Sequence, residues 1–353
     1  MRKYKYFPLV GILASKGKKN NTFRGELAYF KSIQKELMSF GGLSFVFRTD
    51  DVHENYVNGF VYYETKEKWG KISFPFPDLI YNRVALRKEE LTPPFLTLFH
   101  SYTQQNKPFF NPSFFNKWDS YQALSKSKRL VPYLPETWMY TTITDLLSKL
   151  NIYHSLFLKP VNGHKGKNIH QLTFENGQYS IWSNSNMSKY TYDEFTLFFG
   201  KHWKQNQYLI QKAIKTDTID DCKFDLRILC IYENGSHKIS GIGVRKAAKN
   251  SIITHIPNGG SIVSFQEVKH KCSPLQLNWL AETVGAELAR FYGFIGEFSM
   301  DIGLTPNGNP FIFEVNSKPM IFDENAIQTN RITRLVELFN ELANTTITYK
   351  KDF

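Results

Sequence analysis

The sequence predicts a mixed α/β (α+β) chain: a small N-terminal βαβ domain over residues 1–116, then two α+β subdomains over 117–207 and 208–353. Three observations predict it. The run FPLVGILA at 7–14, a helical stretch from Arg24 to Phe40 ending at Gly41-Gly42, and the run Leu43 to Phe47 follow one another as strand, helix and strand. That is the order of a parallel βαβ unit. The middle of the chain carries short β-type runs, SLFLKP, IHQLTF and QYSIWS, as in an antiparallel, hairpin-rich sheet. Towards the C-terminus, GEFSMDIGLTPNGNPFIFEVN reads as two strands joined by a PNGNP turn.

Taken in order, a polar turn rich in Gly and Lys separates the first strand from the first helix, and Asp78 to Tyr81 adds a strand leading into Asn82-Arg83. The segment KPFFNPSFFNKW at 107–118 breaks the helical pattern and marks a boundary. A helix follows from Lys117 through Arg129; LPETW then leads to a second helix, Thr144 to Leu150. After the middle strands come a helix over Tyr192 to Lys204 and the strand YLIQKAI at 208–214. Long β runs, DLRILCIYE, SHKISGIGVRKA and Ser261 to Gln266, precede an amphipathic helix from Pro274 to Tyr292. The last helix, Ala326 to Leu342, follows the C-terminal hairpin.

Composition narrows the function. The 353 residues include 44 Lys and Arg against 32 Asp and Glu, a net charge of +12, which suits an anionic partner or a merely solvated basic surface. No run reaches the ~18–20 apolar residues of a membrane span, and MRKYKYFPLVGILASKGKK has too short an apolar core for a signal peptide. The expectation is a cytoplasmic protein without a membrane partner. Cys222, Cys230 and Cys272 form no CxxC pair, and the histidines show no HxxxH or HExxH spacing, so any metal must be held by oxygen. No RNP, KH or helix-turn-helix pattern supports a nucleic-acid partner.

Three motifs carry chemistry. Asp301 lies on one strand of the last hairpin and Glu314 and Asn316 on the other; residues i and i+2 share a strand face, so two carboxylates and an amide oxygen can converge. Mg²⁺ takes such oxygen ligands together with substrate phosphates. The alternative is a charged solvent face, but FIFEVN sets these residues among apolar neighbours, where an unpaired carboxylate is costly. The second motif, FLKPVNGHKGKNI, ends a strand at Lys159 and continues into a loop with Gly163, Gly166 and Lys167. It suits phosphate binding by a point charge and by backbone N–H groups, or equally a plain hairpin turn. The third is FDLRILC, followed by Arg245 on the next strand and Asn258-Gly259-Gly260. Arg227 and Arg245 facing a pocket could clamp phosphate or carboxylate; an Asp/Arg pair such as Asp225 and Arg227 is otherwise a surface ion pair.

In this order the motifs resemble the ATP-grasp superfamily over nearly the whole chain, from FLKP and the Gly loop through YLIQKAI, DLR, GVR and NGG to D…ExN. PFPDLIYNR, FFNKWDSYQAL and LPETW are similar to the YheC and YheD endospore coat-associated group, and the C-terminal half to the ribosomal protein S6 glutamate ligase type. The resemblance implies an ATP-grasp fold, a pre-ATP-grasp domain followed by two subdomains that sandwich ATP. It implies that Lys117 and Lys159 bind the nucleotide, that Gly163 to Lys167 cover its phosphates, and that Gln211, Lys212, Ala213 and Ile214 present backbone groups to adenine, with Asp225 nearby. Asp301, Glu314 and Asn316 would hold two Mg²⁺, with Mn²⁺ as an alternative. Arg227 and Arg245 would face a reacting acyl phosphate, and Arg83, His255, Asn258, Gly259 and Lys318 the substrates.

The implied activity is an ATP- and Mg²⁺-dependent carboxylate–amine ligase that adds an amino acid such as glutamate to a peptide or protein. The rival readings are an ATP-grasp kinase and a spore-coat structural protein that binds ATP without turnover, with coat proteins as partners and the coat as location. Several positions depart from the relatives' pattern. Gln211-Lys212 stand where relatives often have an acidic residue, Ser299 replaces the arginine of the D-alanine ligase type, and His255 and Lys318-Pro319 replace the Asn and Ser-Pro of the S6-ligase type. The excess charge, with Arg83, Arg245 and Lys318 at the acceptor end, implies a multiply anionic carboxylate substrate.

Overall fold

The computed structural model describes residues 6–19, 21–163, 167–183, 186–254 and 259–345. Their strands form three six-stranded sheets and a two-stranded ribbon, Ser15–Lys16 with Phe23–Arg24. In the first sheet Leu9–Leu13 lies between Leu43–Phe47 and Leu79–Asn82 and is parallel to both. LVGIL is buried throughout because both faces of this sheet are covered. Val10 and Ile12 pack towards Phe30 and Ile33 of helix Leu27–Ser39 and Leu335 and Phe339 of helix Asn325–Ala343. Leu9 and Leu13 face Phe95, Leu98 and Tyr102 of helix Pro93–Gln104. A side chain at Gly11 would meet Pro77 Cγ at 2.7 Å and the Phe47 ring at 2.8 Å, so the strand tolerates none there.

The helix Pro93–Gln104 and the hairpin Val57–Tyr63/Lys68–Phe74 are additions to the sequence-based layout. The hairpin turns at Glu67 with φ +46°, a left-handed position without the Gly or Asn that usually signals one. The first helix begins at Leu27 rather than Arg24, because Phe23–Arg24 is drawn into the ribbon.

The second sheet is antiparallel, in the order Asn186–Tyr190, Gln178–Ser183, His170–Glu175, Ser155–Pro160, Tyr208–Lys212, Thr137–Met139. Helices Ile143–Tyr153 and Tyr192–His202 cover one face through Leu146, Leu150, Phe195 and Phe199. The third sheet runs Ser261–Val263, Ser236–Lys246, Cys222–Glu233, Glu297–Leu304, Pro310–Asn316, with Thr218–Ile219 beside Cys222–Glu233. Its covered face, Leu226, Ile228, Phe298, Met300 and Ile302, packs on Leu277, Leu280, Val284 and Leu288 of helix Pro274–Tyr292.

Two boundaries move. Tyr208–Lys212, assigned from sequence to the start of the third part, pairs with Ser155–Pro160 and Thr137–Met139 and so completes the second sheet. Residues Leu124, Leu130 and Leu134, assigned to the second part, sit in the core of the third. Apolar burial decides both: Ile210 shares a core with Leu156 and Leu158, whereas Leu124 shares one with Val284. Among the described residues no helix is long and apolar enough to cross a membrane.

The parts meet at a buried carboxylate. Glu297, 1% exposed, accepts from Arg331 Nε and Nη2 at 2.9 Å each, from Arg83 Nη1 at 3.2 Å, and from the Tyr81 hydroxyl. Both arginines also donate to Pro319 O at 3.1 Å, and Arg83 Nη2 donates to Glu26 at 2.9 Å. Burial alone disfavours the charged form of Arg331; Glu297 outweighs it and holds the guanidinium above its ordinary pKa. Removing one partner from such a pair leaves an uncompensated charge in the interior. Arg331→Met is therefore expected to lower the unfolding free energy by about 3–5 kcal/mol in urea denaturation. Combining it with Glu297→Gln should restore part of the loss. A loss under about 1 kcal/mol, the range of an exposed pair, would show that the cluster is solvated.

Candidate active site

The uncovered face of the third sheet, facing the second sheet and the N-terminal domain, forms the floor of a cavity of about 830 Å³. Alternation places the floor residues. Leu226 and Ile228 enter the core, so Asp225 and Arg227 face the cavity; Arg227 pairs in register with Asp301, and Asp225 with Arg245. On the last hairpin Asp301 lies opposite Glu314 and Ser299 opposite Asn316. The register shifts after Asp301, so that Ile302 opposes Ile312 and Phe313 has no partner in the ladder. This bulge turns the consecutive residues Phe313 and Glu314 both towards the cavity, while Ile312 and Val315 stay in the core.

Most charges on this floor are already paired. Arg245 grips Asp225 in bidentate fashion, both contacts at 2.8 Å, and reaches Asp301 at 3.0 Å. Thr254 donates to the same Asp225 carboxylate at 2.5 Å. Lys117, at the first turn of helix Lys117–Ser125, donates to Glu314. Burial opposes the charged form of Asp301, and Arg245 and Arg227 outweigh it, so its carboxyl is held below the usual range. Arg227 has no carboxylate in ion-pair contact among the described residues, and burial lowers its pKa with Asp301 opposing.

Unsatisfied polar atoms gather here. Among the described residues the buried side-chain atoms without a hydrogen-bond partner are Arg227 Nε, Ser299 Oγ, Asp301 Oδ1 and Gln328 Nε2. Three of the four fall on adjoining positions of this one sheet face. Interiors rarely leave such groups unpaired, so the cluster calls for a partner from outside the chain, whether water, an ion or a larger ligand. The donor set fits Mg²⁺: an unpartnered carboxylate oxygen on Asp301, a second carboxylate opposite it, and Asn316 on the same edge. Among the described residues no three His, Cys, Asp or Glu side chains form a metal cluster, so a cation held here would draw its further ligands from the Asn316 amide, phosphate or water.

The wall supplied by the second sheet is apolar and basic. Lys159 Nζ donates to Gln211 Oε1 at 2.5 Å and lies 5.6 and 5.7 Å from the ring centroids of Phe157 and Phe313. Burial lowers its pKa to about 8; Glu314 opposes this and Lys117 adds to it. Gln211 is fixed in turn by Thr137, to which its amide donates at 3.0 Å. Gly163, Lys212 and Ile214 also line the cavity, although the Lys212 ammonium pairs with Glu136 at 3.1 Å.

The sequence-predicted residues divide into three groups. Arg227, Arg245, Lys159, Gly163, Gln211, Lys212, Ile214, Asp301, Glu314 and Asn316 line one cavity, and Lys117 reaches it through Glu314. Gly166, His255 and Asn258 lie outside the described residues, while Lys167, Ala213 and Gly259 are not in the lining. Asp225, Arg83 and Lys318 line the cavity but are engaged by the protein itself. Asp225 lines the cavity and holds Arg245. Arg83 serves the Glu297 cluster, and Lys318 donates to Glu90 at 2.6 Å, Asn82 at 3.0 Å and Val84 O at 3.1 Å. Each already has a buried carboxylate as its partner. Sequence reading missed Phe157, Phe313, Thr254 and Arg87; the only signal for Phe313 was its place beside Glu314, and bulges have no sequence mark.

Comparison with known proteins follows the same pattern. A family model described as YheC/D-like ATP-grasp matches residues 106–344. The chain is 29% identical over 338 residues to the endospore coat-associated protein YheD of Bacillus subtilis (strain 168), covering 88% of this chain and 72% of that protein. Among solved structures, a RiPP-associated ATP-grasp ligase of Chryseobacterium gregarium, in complex with ADP and a leader and core peptide, superposes with TM-score 0.51 at 10% identity over 98% of this chain and 99% of that one. The ATP-grasp ligase PsnB, complexed with a precursor variant, Mg and ADP, does so with TM-score 0.50 at 11% identity over 95% and 97%. The fold is the ATP-grasp fold, and because the family model spans more than half of the sequence, the chain belongs to the YheC/D-like ATP-grasp family.

Proposed function

We propose that the chain is an ATP- and Mg²⁺-dependent carboxylate–amine ligase acting on a peptide or protein. The observation that carries this reading is the unsatisfied cluster on the cavity floor: Asp301 Oδ1 and Arg227 Nε, buried and unpartnered beside Glu314 and Asn316. A phosphoryl group and its cation satisfy both signs of charge at once, which no neutral ligand does. The solved ATP-grasp ligases that share the fold, crystallised with ADP, Mg and peptides, support the same assignment.

Phe157, Ile214 and Phe313 offer apolar walls to a base, and the strand ending at Lys212 offers backbone groups to its edge. Lys159 meets the phosphates. Lys117, paired with Glu314 in the free protein, would be released to meet phosphate if Glu314 served as a metal ligand. Asp301, Glu314 and Asn316 would hold the metal, which when bound would neutralise charge on the transferring oxygens. The substrate carboxylate attacks the γ-phosphorus, the bond to the β-phosphate oxygen breaks, and ADP leaves. An amine then attacks the acyl carbon, phosphate departs, and the proton lost by the amine passes to phosphate or solvent. Arg227 stabilises the anionic oxygens in both steps. Arg245, gripped by Asp225 and Asp301, positions the floor rather than donating freely.

Glu314→Gln is expected to reduce ADP release by about 10²–10³-fold, the scale of losing one transition-state contact. Its effect on thermal unfolding should be small, because the Glu314 side chain is 29% exposed and its ion-pair partner is Lys117. Near-normal turnover in that variant would remove the metal assignment. Products distinguish the readings: a ligase gives ADP and an amide by mass spectrometry, a kinase gives a phosphorylated product without an amine, and a coat protein with no turnover gives neither.

The Lys159 ammonium gives a pH dependence with a definite sign. In the free protein it is charged below about pH 8 and neutral above. Binding of a nucleotide polyanion favours the charged form, so binding takes up a proton above that pH. Nucleotide affinity, measured by calorimetry, should be flat below about pH 8 and fall by up to about tenfold per unit above it, one proton being linked. In Lys159→Arg, always charged, the decline should vanish. A decline of equal slope in that variant would assign it to another group.

A further inference from the structure

The cavity's cations differ sharply in what they already hold. Arg83, Arg245 and Lys318 are neutralised by Glu297 and Glu26, by Asp225 and Asp301, and by Glu90. On the N-terminal wall Arg24, Arg87 and Lys88 also line the cavity, and among the described residues none has a carboxylate in ion-pair contact. Arg87 is half-buried: its Nη2 donates to Phe115 O at 2.6 Å, and the guanidinium lies 5.0 Å from the Phe114 ring centroid. Burial lowers its pKa, and the more distant Glu90 and Glu314 carboxylates oppose this only in part. Those two carboxylates are held at closer range by Lys318 and Lys117.

Two features say how large that anion is. Ala85 N donates to Ser15 Oγ at 2.7 Å, so the ribbon Ser15–Lys16/Phe23–Arg24 stands beside the 83–88 loop and frames the cavity mouth with it. The ribbon's turn carries Lys18 and Lys19, both exposed, extending positive charge outward from Arg24. Arg83 Nη2 bonds both Glu26 and Pro319 O, so segments 24–27 and 319–321 run side by side. There Leu27, Met320 and Ile321 are 50%, 40% and 39% exposed. Cations continuing outward beside aliphatic side chains suit a polypeptide with several carboxylates. A nucleic acid would call for aromatic faces on which bases stack.

We propose that this mouth is the docking site of an acidic peptide segment, with Arg87 binding the carboxylate of its innermost side chain and Leu27, Met320 and Ile321 holding an adjacent aliphatic one. The site rests on the ligase reading for what happens next, but its occupancy can be measured without turnover, so failure of one is distinguishable from failure of the other. The probe is a fluorescein-labelled hexapeptide alternating one Leu with two Glu residues, titrated by anisotropy at low salt in the presence of Mg²⁺ and a non-hydrolysable ATP analogue. Arg87→Gln should weaken binding by about tenfold or more, the loss of a charge-assisted hydrogen bond. Lys88→Gln and Leu27→Ser should weaken it to a lesser degree. Lys201→Gln, which removes the same charge from helix Tyr192–His202 outside the cavity, should leave it unchanged. The proposal is overturned if Arg87→Gln binds like the parent, or if Lys201→Gln loses as much. It is equally overturned if the peptide with Gln in place of Glu binds as well, or if single-stranded DNA of equal charge binds more tightly.

Discussion

The Glu297 carboxylate is the contact on which the arrangement depends. Fully enclosed, it is bonded by Arg331 of the C-terminal helix, by Arg83 and Tyr81 of the N-terminal domain, and sits itself on the third sheet. Its backbone carbonyl also accepts from Asn111. A carboxylate taken out of water must be surrounded by donors in good geometry, or the desolvation cost is not offset. Meeting that requirement fixes three distant segments to one point and sets the width of the cavity between them. The C-terminal helix reinforces this by sharing a core with Val10 and Ile12 of the first sheet and with Leu229 and Ile231 of the third.

The same strand then changes character along its length. At Glu297 the sheet face is sealed beneath the helix; at Asp301, two alternations on, it opens into the cavity. Sealed charges are all paired, whereas the open end leaves Asp301 Oδ1 and Arg227 Nε without partners. The buried pairs and the unsatisfied Asp301 and Arg227 atoms thus occupy opposite ends of one strand face, and the latter are groups that a phosphoryl group and its cation would satisfy.

Internal pairing also limits what net charge can say. A total of +12 suggested a strongly cationic acceptor pocket. In the structure Arg83, Arg245 and Lys318 are paired with buried carboxylates, whereas among the described residues Arg227 and Lys159 inside the cavity and Arg24, Arg87 and Lys88 at its mouth have none in ion-pair contact. Coulomb attraction over a few ångströms in a low-dielectric interior outweighs the diffuse field of the surface, so local pairing decides which charges act.

Sequence alone determined the features that rest on local periodicity. Alternation in FIFEVN and the PNGNP turn placed Asp301, Glu314 and Asn316 together on one hairpin, and Pro274–Tyr292 was legible to the residue because Ser273, Pro274 and Gly293 mark its ends. The parallel pairing of Leu9–Leu13 with Leu43–Phe47 followed from the strand–helix–strand order. Tertiary structure decided everything that needed a partner far along the chain: that Tyr208–Lys212 joins the second sheet, that Asp225 holds Arg245, and that Arg83 serves Glu297 while Arg87 stays free of a carboxylate among the described residues. The bulge that presents Phe313 belongs with these, since it depends on register against Asp301 and Ile302. The period of a segment is written in its own residues; the choice among competing ion-pair partners is made only when distant segments are brought within contact, because the energy of each pair depends on a separation and a burial that no single segment contains.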